Sequence, residues 1–298
     1  MQDPKVSILI TVYNAENFIE DTINSLLKQT YQNFEIILVD NKSTDSTVNL
    51  INSFANNKIK LKCLKKNYGQ TIALNAGLKL CKGEYIARID ADDVASPNRI
   101  ETQLYYMEKN KLDFLSSQVK YIDEKGNVVG KSNFFKVNEN NIFIILISNS
   151  ISHPSVMIRK NYLIKRGGYN ESYKYWQDLE LWLKLYKNAK FEIHPEHLTF
   201  VRIHKNQVSK RNDFSFVNSR NNEWINLING TLENKNLNIK IKVLLIIKRD
   251  LILFSKSYKI IELLQLIFYV VLNFKNIVFN KIFYLVFFTI LKNRLKKL

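Results

Sequence analysis

The sequence predicts an α/β protein with a mainly parallel sheet flanked by helices, followed by a helical appendage at the C-terminal end. In the first half of the 298 residues, apolar β-rich runs alternate with segments of helical period, as in successive βαβ units. Acidic residues directly follow several of these runs. From residue 235 the composition shifts to Ile, Leu, Phe, Lys and Asn, so we place a domain boundary between residues 1–234 and 235–298.

Each element of the first half is predicted from its own local pattern. Apolar runs predict four strands, over residues 6–12, 34–39, 59–64 and 85–89. Apolar residues at helical spacing predict helices over residues 17–29, from Ser43 or Asp45 to Phe54, and over residues 71–80. Ser96 and Pro97 make a good N-cap and first helical residue, and predict a helix through Met107.

The second half of the chain carries fewer local signals. After residues 113–122 comes a loop-rich stretch, whose clearest features are Gly167, Gly168 and a helix predicted from Asp178 to Tyr186. In the appendage, the apolar stretches 263–272 and 282–291 are each about ten residues long, whereas a membrane-spanning helix needs about 20. We therefore predict basic amphipathic helices that lie on a membrane surface, with packing against the rest of the protein as the alternative.

Composition and charge exclude several classes of protein. With 46% hydrophobic residues, 8 Gly and 4 Pro, the chain is globular rather than disordered or collagen-like. The net charge is +17, and residues 235–298 contribute 13 Lys or Arg against two acidic residues, a net +11. Because these cations are interleaved with apolar residues, they favour an anionic membrane surface over nucleic acid as the partner.

The cysteines and the N-terminus bear on the compartment. Cys63 and Cys81 lack the spacing of a disulfide framework or a zinc site, and we interpret them as two buried free thiols in a reducing compartment. The N-terminal residues lack the apolar segment and cleavage site of a signal peptide. We therefore do not expect export by that route.

Carboxylates follow two of the predicted strands and begin one predicted helix. Asp40 ends the second strand, Asp90, Asp92 and Asp93 end the fourth, and Asp178 begins the later helix. In open α/β sheets, ligands bind at the carboxyl ends of the strands. Carboxylates crowded at one strand end repel each other unless a cation neutralises them, and carboxylates share Mg²⁺ or Mn²⁺ with phosphate oxygens. The pattern predicts a divalent metal and a diphosphate, although a single Asp such as Asp178 is also explained by helix capping.

Six motifs follow one another over about residues 5–210. They are SILITVYNAENFIEDTINSLLKQTYQNFEIILVDNKSTDST, NYGQTIALNAGLKLCKGEYIARIDADD, SPNRIETQ, HPSVMIRK with GGYN, QDLELWLKL and VRIHKNQVS. Each is weak by itself, but in this order and spacing they resemble glycosyltransferase family 2. The resemblance implies the Rossmann-like GT-A fold, a nucleotide-sugar donor and a divalent metal, Mn²⁺ or Mg²⁺.

The resemblance also implies where the donor nucleotide lies. It places the uracil and ribose at the ends of the first two strands, at Thr11, Tyr13, Glu16 and Asp40. Thr11 stands where Pro is common in the family, and Asn41 and Lys42 replace a second Asp and a Gly. Asn41 keeps hydrogen-bonding capacity but loses the charge, so UDP and dTDP both remain open as the donor nucleotide.

Further donor and metal residues are implied by the second motif. Around a loop and a helix start, where nucleotide and sugar approach the backbone, it places Asn67, Gly69, Ala73, Asn75 and Gly77. Helix packing explains Ala73 and Gly77 equally well. Arg88 is placed to brace the sugar or a carboxylate. Asp90 and Asp92 match the DxD motif of the family, with Asp92 as the direct metal ligand and Asp93 as adjacent support.

On the acceptor side, Asp178 matches the general base of the family. A carboxylate within hydrogen-bond reach takes the acceptor proton as the new bond forms, and in-line attack inverts the anomeric carbon. Gln177 stands where the family has Glu. Of the two flanking tryptophans, Trp182 is expected in the core and Trp176 against a sugar face.

Four further positions belong to motifs that match the family, and two of them have a structural alternative. His153 belongs to an acceptor-side segment, but a lone histidine is more often structural. Arg202 and His204 match a late motif that closes over the diphosphate, and we expect Arg202 to matter more. Arg99, which follows Pro97 and precedes Gln103, either orients acidic neighbours or lies on the surface.

Together these observations predict an inverting, metal-dependent glycosyltransferase. It would move a sugar from a UDP-sugar to a hydroxyl of a lipid-linked or polysaccharide acceptor, at the cytoplasmic face of a bacterial cell membrane and peripheral to it. The alternatives are a dTDP-sugar-dependent transferase and a non-catalytic basic lipid-binding module. A nucleotidyltransferase is disfavoured, because the segment TVYNAENF has neither the Gly nor the Lys of a triphosphate-binding loop.

Overall fold

A nine-stranded mixed sheet lies at the centre of the described part of the chain. The computed structural model describes residues 3–133, 149–186, 189–205, 207 and 213–233. The chain divides into two compact units, Met1–Leu227 and Ile228–Leu298, and the site described below lies in the first. The predicted appendage, residues 235–298, lies outside the described residues.

The sequence forms strands and helices in alternation over its first half. The strands are β1 (Val6–Val12), β2 (Phe34–Asp40), β3 (Ile59–Cys63), β4 (Tyr85–Arg88), β5 (Val94–Ala95), β6 (Phe114–Ile122), β7 (Val128–Lys131), β8 (Met157–Arg159) and β9 (Phe191–Arg202). The helices are α1 (Ile19–Leu27), α2 (Thr47–Ser53), α3 (Gln70–Leu78), α4 (Arg99–Lys109), α5 (Lys160–Lys165), α6 (Gln177–Leu185) and α7 (Phe214–Leu232), with a 3₁₀ turn over His153–Ser155. Among the described residues, none of these helices is long and apolar enough to cross a membrane.

The sheet has a parallel half and a mixed half. Its order is β3-β2-β1-β4-β8-β6-β9-β5, with β7 paired to β6. β3, β2, β1 and β4 run parallel, as the helices between them require. β8 is antiparallel to both β4 and β6, while β6 and β9 are parallel. The predicted α/β class is confirmed, and antiparallel pairs join the second half of the chain to the predicted parallel strands.

The core explains two small residues of the second motif. The sequences of β1 and β2 are almost continuously apolar, as expected for strands with both faces covered. Helix α3 packs on them so closely that a Cβ at Gly77 would lie 2.3 Å from Leu9 Cδ1 and 2.9 Å from Val39 Cγ2. Ala73 is fully buried on the same helix. Both residues therefore have the packing role that was weighed for them.

Two local predictions are wrong. The helix predicted to begin at Ser96 and Pro97 begins at Arg99, because the Ser96 hydroxyl donates to Asn98 Oδ1 (2.7 Å) instead of capping a backbone N–H. Cys63 is exposed rather than buried, since β3 lies at the edge of the sheet. Cys81 is buried as predicted, and this burial raises the pKa of its thiol to about 12.

Candidate active site

The predicted site residues gather at one edge of the sheet. The parallel register places the ends of β1, β2 and β3 side by side, with Val12 opposite Asp40 and Asp40 opposite Cys63. β4 joins them on the other side of β1. The ends of these strands and the loops that follow them carry the predicted residues Tyr13, Glu16, Asp40, Asn67, Gly69, Asp90 and Asp92. The edge therefore has the location of a ligand site in an open α/β sheet.

Asp40 shapes the loop in which it lies. Its buried carboxylate accepts hydrogen bonds from the backbone N–H groups of Lys42 (3.1 Å) and Ser43 (3.2 Å). Lys42 has a φ of 71°, a left-handed conformation. Glu16 holds the other end of this loop, because its carboxylate accepts from the N–H of Ser46 at 2.9 Å. Both predicted nucleotide residues therefore organise the loop between β2 and α2.

Tyr13 offers the surface beside this loop. It follows β1 directly and is 50% exposed, whereas Thr11 is partly buried within the strand opposite Val39. A half-exposed aromatic ring at a strand end has a free face on which a planar group can stack. Tyr13 is thus the predicted nucleotide residue with the largest exposed apolar surface at this edge.

Asn41 links the second and third strand ends. Its amide donates to Asn67 Oδ1 (2.7 Å) and accepts from the N–H of Tyr68 (2.9 Å), and Asn67 Oδ1 also accepts from the N–H of Gly69 (3.0 Å). An Asp at position 41 would have no N–H to donate. The departure from the family pattern at this position therefore fastens the loop that leads to α3.

Asn75 connects α3 to the loop after α5. Its Nδ2 donates to the carbonyl of Tyr169 (2.8 Å) and to Glu171 Oε1 (2.9 Å), and its Oδ1 accepts from the N–H of Tyr169 (3.0 Å). Gly168 comes so close that a Cβ there would lie 2.9 Å from Asn75 Oδ1. In this structure both ends of the Asn75 amide hold residues 168–171 against the helix.

Three carboxylates crowd together after β4. One oxygen from each of Asp90, Asp92 and Asp93 lies within 4.8 Å of the others. Burial and the neighbouring carboxylates raise the pKa of Asp92, and raise that of Asp93 well above its ordinary value. Asp93 Oδ2 is buried without a hydrogen-bond partner among the described residues. Oxygen-only donors, crowded negative charge and an unpaired buried oxygen all fit a hard divalent cation.

Two buried arginines stabilise the strand end that carries the acidic cluster. Arg88 donates through Nη2 to Asp90 Oδ1, and its Nε and Nη1 have no partner within the described ranges of the chain. Arg99 donates to the carbonyl of Arg88 (2.6 Å) and to Gln103 Oε1 (3.1 Å), and burial lowers the pKa of Arg99 to about 9. The surface alternative for Arg99 is therefore wrong, because the side chain is fully enclosed.

Arg202 and His204 both contact the acidic loop, at different atoms. The guanidinium of Arg202 is buried and donates to the carbonyls of Asp92 (2.9 Å) and Glu124 (2.9 Å) and to the carboxylate of Asp21 (3.0 Å). It braces the acidic loop, and each of its three guanidinium nitrogens donates to a protein acceptor. His204 instead lies at the cluster itself, with Nε2 2.8 Å from Asp92 Oδ2.

Asp178 lies in the first turn of α6. Its Oδ2 accepts a hydrogen bond from Asn149 Nδ2 (2.7 Å), and its Oδ1 accepts from the N–H of Leu179 (2.8 Å). Burial raises the pKa of Asp178 above its ordinary value, while the Asn149 hydrogen bond and the positive charge of Arg88 oppose that rise. A carboxylate with a raised pKa is a stronger base than an exposed aspartate.

Glu223 of α7 secures the start of α6. Its carboxylate accepts from three consecutive backbone N–H groups, those of Lys174 (2.6 Å), Tyr175 (2.7 Å) and Trp176 (3.0 Å). The indole N–H of Trp176 donates to the carbonyl of Arg220 (2.9 Å). Trp176, predicted against a sugar face, is thus anchored to α7 through its polar edge and remains partly exposed.

His153 and Trp182 belong to the interior. His153 is buried, with Nε2 2.9 Å from the hydroxyl of Tyr169. Burial and the nearby charge of Arg88 hold the pKa of His153 well below its usual value, so the imidazole is neutral. Trp182 is buried and stacks on Phe114 with ring centroids 5.3 Å apart. Trp182 lies in the core as predicted, and the burial of His153 fits the structural alternative.

Three contributors to the site were missed by the sequence analysis. Asn149, Tyr169 and Glu223 contact Asp178, His153 and the start of α6 respectively, across 29, 16 and up to 49 residues. Asn149 lies four residues before the HPS segment, and Tyr169 lies within the GGYN motif, so both were close to a recognised pattern. Glu223 lies in a stretch without any motif.

Comparisons with known proteins cover the part of the chain that carries this site. A family model described as "Glycosyl transferase family 2" matches residues 7–171. An uncharacterized glycosyltransferase of Haemophilus influenzae is 33% identical over 258 residues, which cover 81% of this chain and 78% of that protein. The O-antigen biosynthesis glycosyltransferase WbnJ of Escherichia coli is 29% identical over 211 residues, or 69% of this chain and 82% of that protein.

Solved structures and longer relatives extend the comparison. The crystal structure of S. aureus TarS 1-349 in complex with UDP-GlcNAc matches with a TM-score of 0.67 and 22% identity, over 84% of this chain and 73% of that chain. This likeness concerns the fold. Two glycosyltransferases from Rickettsia species are longer, and the chain spans 36% and 35% of their length.

Proposed function

Because the chain belongs to glycosyltransferase family 2 and has its GT-A fold, we propose that it is an inverting enzyme that moves a sugar from a UDP-sugar to a hydroxyl of a lipid-linked or polysaccharide acceptor. One observation carries the proposal. Arg88 bonds to Asp90 in the acidic cluster, and its charge also acts on Asp178. This shared interaction with Arg88 supports a metal site and a catalytic base that act on the same substrate.

Asp178 takes the acceptor proton in this proposal. As the acceptor oxygen bonds to the anomeric carbon, the bond from that carbon to the β-phosphate oxygen breaks, and its electron pair leaves with the nucleoside diphosphate. The hydroxyl is too weak an acid to ionise beforehand, so its proton passes to Asp178 during bond formation. Attack opposite the leaving group inverts the configuration.

Asp90 and Asp92 would hold the divalent metal, Mg²⁺ or Mn²⁺. Their fit is supported by the three crowded carboxylates and by the unpartnered oxygen of Asp93. A cation bound there supplies positive charge for the departing diphosphate. Arg202 and His204 position Asp93 and Asp92 through hydrogen bonds of 2.9 and 2.8 Å.

Names of the similar proteins support the donor and acceptor classes. TarS was crystallised with UDP-GlcNAc, and WbnJ is named for O-antigen biosynthesis. We accordingly propose UDP over dTDP as the donor nucleotide and a surface polysaccharide or its lipid-linked precursor as the acceptor. Tyr13 is proposed to stack on the base beside the loop that Asp40 and Glu16 organise.

Thermal stabilisation by nucleotide-sugars tests this proposal. The full-length chain is heated with a panel of UDP- and dTDP-sugars, in the presence of Mn²⁺, Mg²⁺ or EDTA. Preferential binding to the folded state raises Tm, so we expect a rise with a UDP-sugar plus metal and a much smaller rise with EDTA. Asp92→Asn should lose the metal-dependent part. Absence of any nucleotide-dependent rise in the wild type, or a rise indifferent to EDTA and to Asp92→Asn, would contradict the proposal.

We also propose that residues 235–298 attach the enzyme to the inner face of the cell membrane. The support is their net charge of +11, interleaved with Ile, Leu, Phe and Val. Clusters of Lys and Arg bind anionic lipid, and apolar residues between them insert at the interface. This arrangement would bring the catalytic unit to a lipid-linked acceptor.

A further inference from the structure

The Asp178 carboxylate is fixed from two sides. Leu179 donates its backbone N–H to Oδ1 at 2.8 Å, and Asn149 donates its side-chain N–H to Oδ2 at 2.7 Å. The first contact comes with the start of α6, whereas the second comes from a residue 29 positions earlier in the chain. Each carboxylate oxygen therefore keeps a lone pair for a further partner.

We propose that Asn149 is the positioning residue that sets the orientation of the Asp178 carboxylate for proton transfer; the inference rests on the proposed role of Asp178 as the base. With Asn149 bound to Oδ2 and Leu179 to Oδ1, the carboxylate cannot rotate without losing both bonds. A general base works only when its free lone pair is directed at the proton that it removes.

The chemical nature of the donor matters as much as its position. A Lys or Arg in contact with Asp178 would favour the charged carboxylate so strongly that it would become a weak base. The neutral amide of Asn149 orients the oxygen with a smaller effect on its basicity. Arg88 and Tyr169 are the other titratable side chains that interact electrostatically with Asp178 across elements of the described chain.

The backbone conformation at position 149 limits which residue types can supply the hydrogen bond to Asp178. Asn149 has a φ of 45°, in the left-handed region where Asn is several-fold enriched. Within the described part of the chain, its Oδ1 is buried without a partner. One hydrogen bond, from Nδ2 to Asp178, therefore holds the amide in place. Asn combines tolerance of this backbone with an N–H donor, whereas Asp tolerates the backbone but lacks the donor.

The test is a carboxyl NMR titration of Asp178 in the full-length chain, with its signal assigned from Asp178→Asn. The wild-type pKa should lie above the ordinary value of about 3.9. Asn149→Ala removes a hydrogen bond to the charged form, so the pKa should rise further. Asn149→Asp adds a negative neighbour and should raise it more. Asn110→Ala, which removes an exposed amide donor directly after α4, should leave it unchanged.

Turnover with the UDP-sugar that gives the largest thermal shift separates this inference from the proposed function. The Asn149 variants should lose about tenfold or more in kcat, part of the 10²–10⁴ that a general base supplies, and keep their UDP affinity. A folded Asn149→Ala with wild-type Asp178 pKa and wild-type kcat would overturn the inference alone. Full activity in Asp178→Asn would overturn the proposed function, and the inference with it.

Discussion

At the scale of single residues, polar side chains at this edge position each other as much as they face a ligand. Asp40, Asn41 and Asn75 use their oxygens and amide groups to hold neighbouring loops. A motif identifies which residue types meet at a strand end, and it does not say which atoms are already occupied. The contacts of Arg202 illustrate this, because its guanidinium donates to four acceptors, one on helix α1 and three in loops distant in sequence.

His153 gives a pH-dependent prediction at this scale. Its pKa is well below the value of about 6.5 in the unfolded chain, so the unfolded state binds more protons between these two values. This contribution to stability is therefore complete above pH 6.5 and is lost as the pH falls, by up to about 1.4 kcal/mol per pH unit. His153→Gln keeps a partner for the Tyr169 hydroxyl but does not titrate.

Urea unfolding of both proteins from pH 7.5 to 5.5 measures this effect. The unfolding free energy of the wild type minus that of His153→Gln should decrease as the pH falls. Groups that titrate equally in both proteins cancel in this difference. His197→Gln is the matched control, since that histidine is partly exposed. A difference that stays constant over this range would show that His153 is not buried in its neutral form.

At the scale of elements, the sequence predicted the strands and helices that have a clear local pattern. β1 and β2 are apolar runs followed by amphipathic helices, so the parallel half of the sheet could be derived from pattern alone. β5 and β8 have two and three residues, too few to show a period, and the antiparallel pairing of β8 was therefore not predictable. The contacts of Asn149 and Glu223 span 29 and up to 49 residues, which no local pattern encodes.

The attachment of α6 to α7 gives the prediction at this scale. Glu223 accepts three backbone N–H groups at residues 174–176, just before the helix that carries Asp178. Glu223→Gln replaces one acceptor oxygen with an N–H donor that faces those donors, so the start of α6 should shift. We expect kcat for UDP release to fall about tenfold, because a shift of α6 would misplace Asp178 relative to the reacting atoms. UDP affinity should stay unchanged.

Glu20→Gln on α1 is the matched control for this substitution, because Glu20 is exposed and makes none of the described contacts with α6. Equal kcat in Glu223→Gln and wild type, with both proteins folded by circular dichroism, would mean that α7 does not position the base.

At the scale of the whole molecule, the charges of residues 1–234 and of residues 235–298 are expected to serve different functions. Residues 1–234 carry +6 of the +17 charge, and the central charges of the site are carboxylates. Residues 235–298 carry +11. Two different anions are thus expected to bind, a nucleoside diphosphate through a metal at the acidic cluster and a lipid surface through the appendage.

Vesicle binding tests the second of these. The full-length chain should sediment with vesicles of phosphatidylglycerol and phosphatidylethanolamine but weakly with phosphatidylcholine, and salt should reduce the binding. Reversing the charge at Lys292, Lys296 and Lys297 should weaken binding several-fold, whereas reversal at the exposed Lys65, Lys66 and Lys79 should not. Equal loss in both triple variants would indicate net charge rather than the appendage.

The most direct test of the central claim is the rate of UDP release with Asp178→Asn. The donor is the UDP-sugar that stabilises the wild type, with Mn²⁺ and a bacterial membrane extract as the source of acceptor, and UDP affinity is measured on the same samples. We predict that the variant binds UDP as the wild type does and loses at least about 10²-fold in kcat, because the proton acceptor is gone. Wild-type kcat in Asp178→Asn would contradict the account.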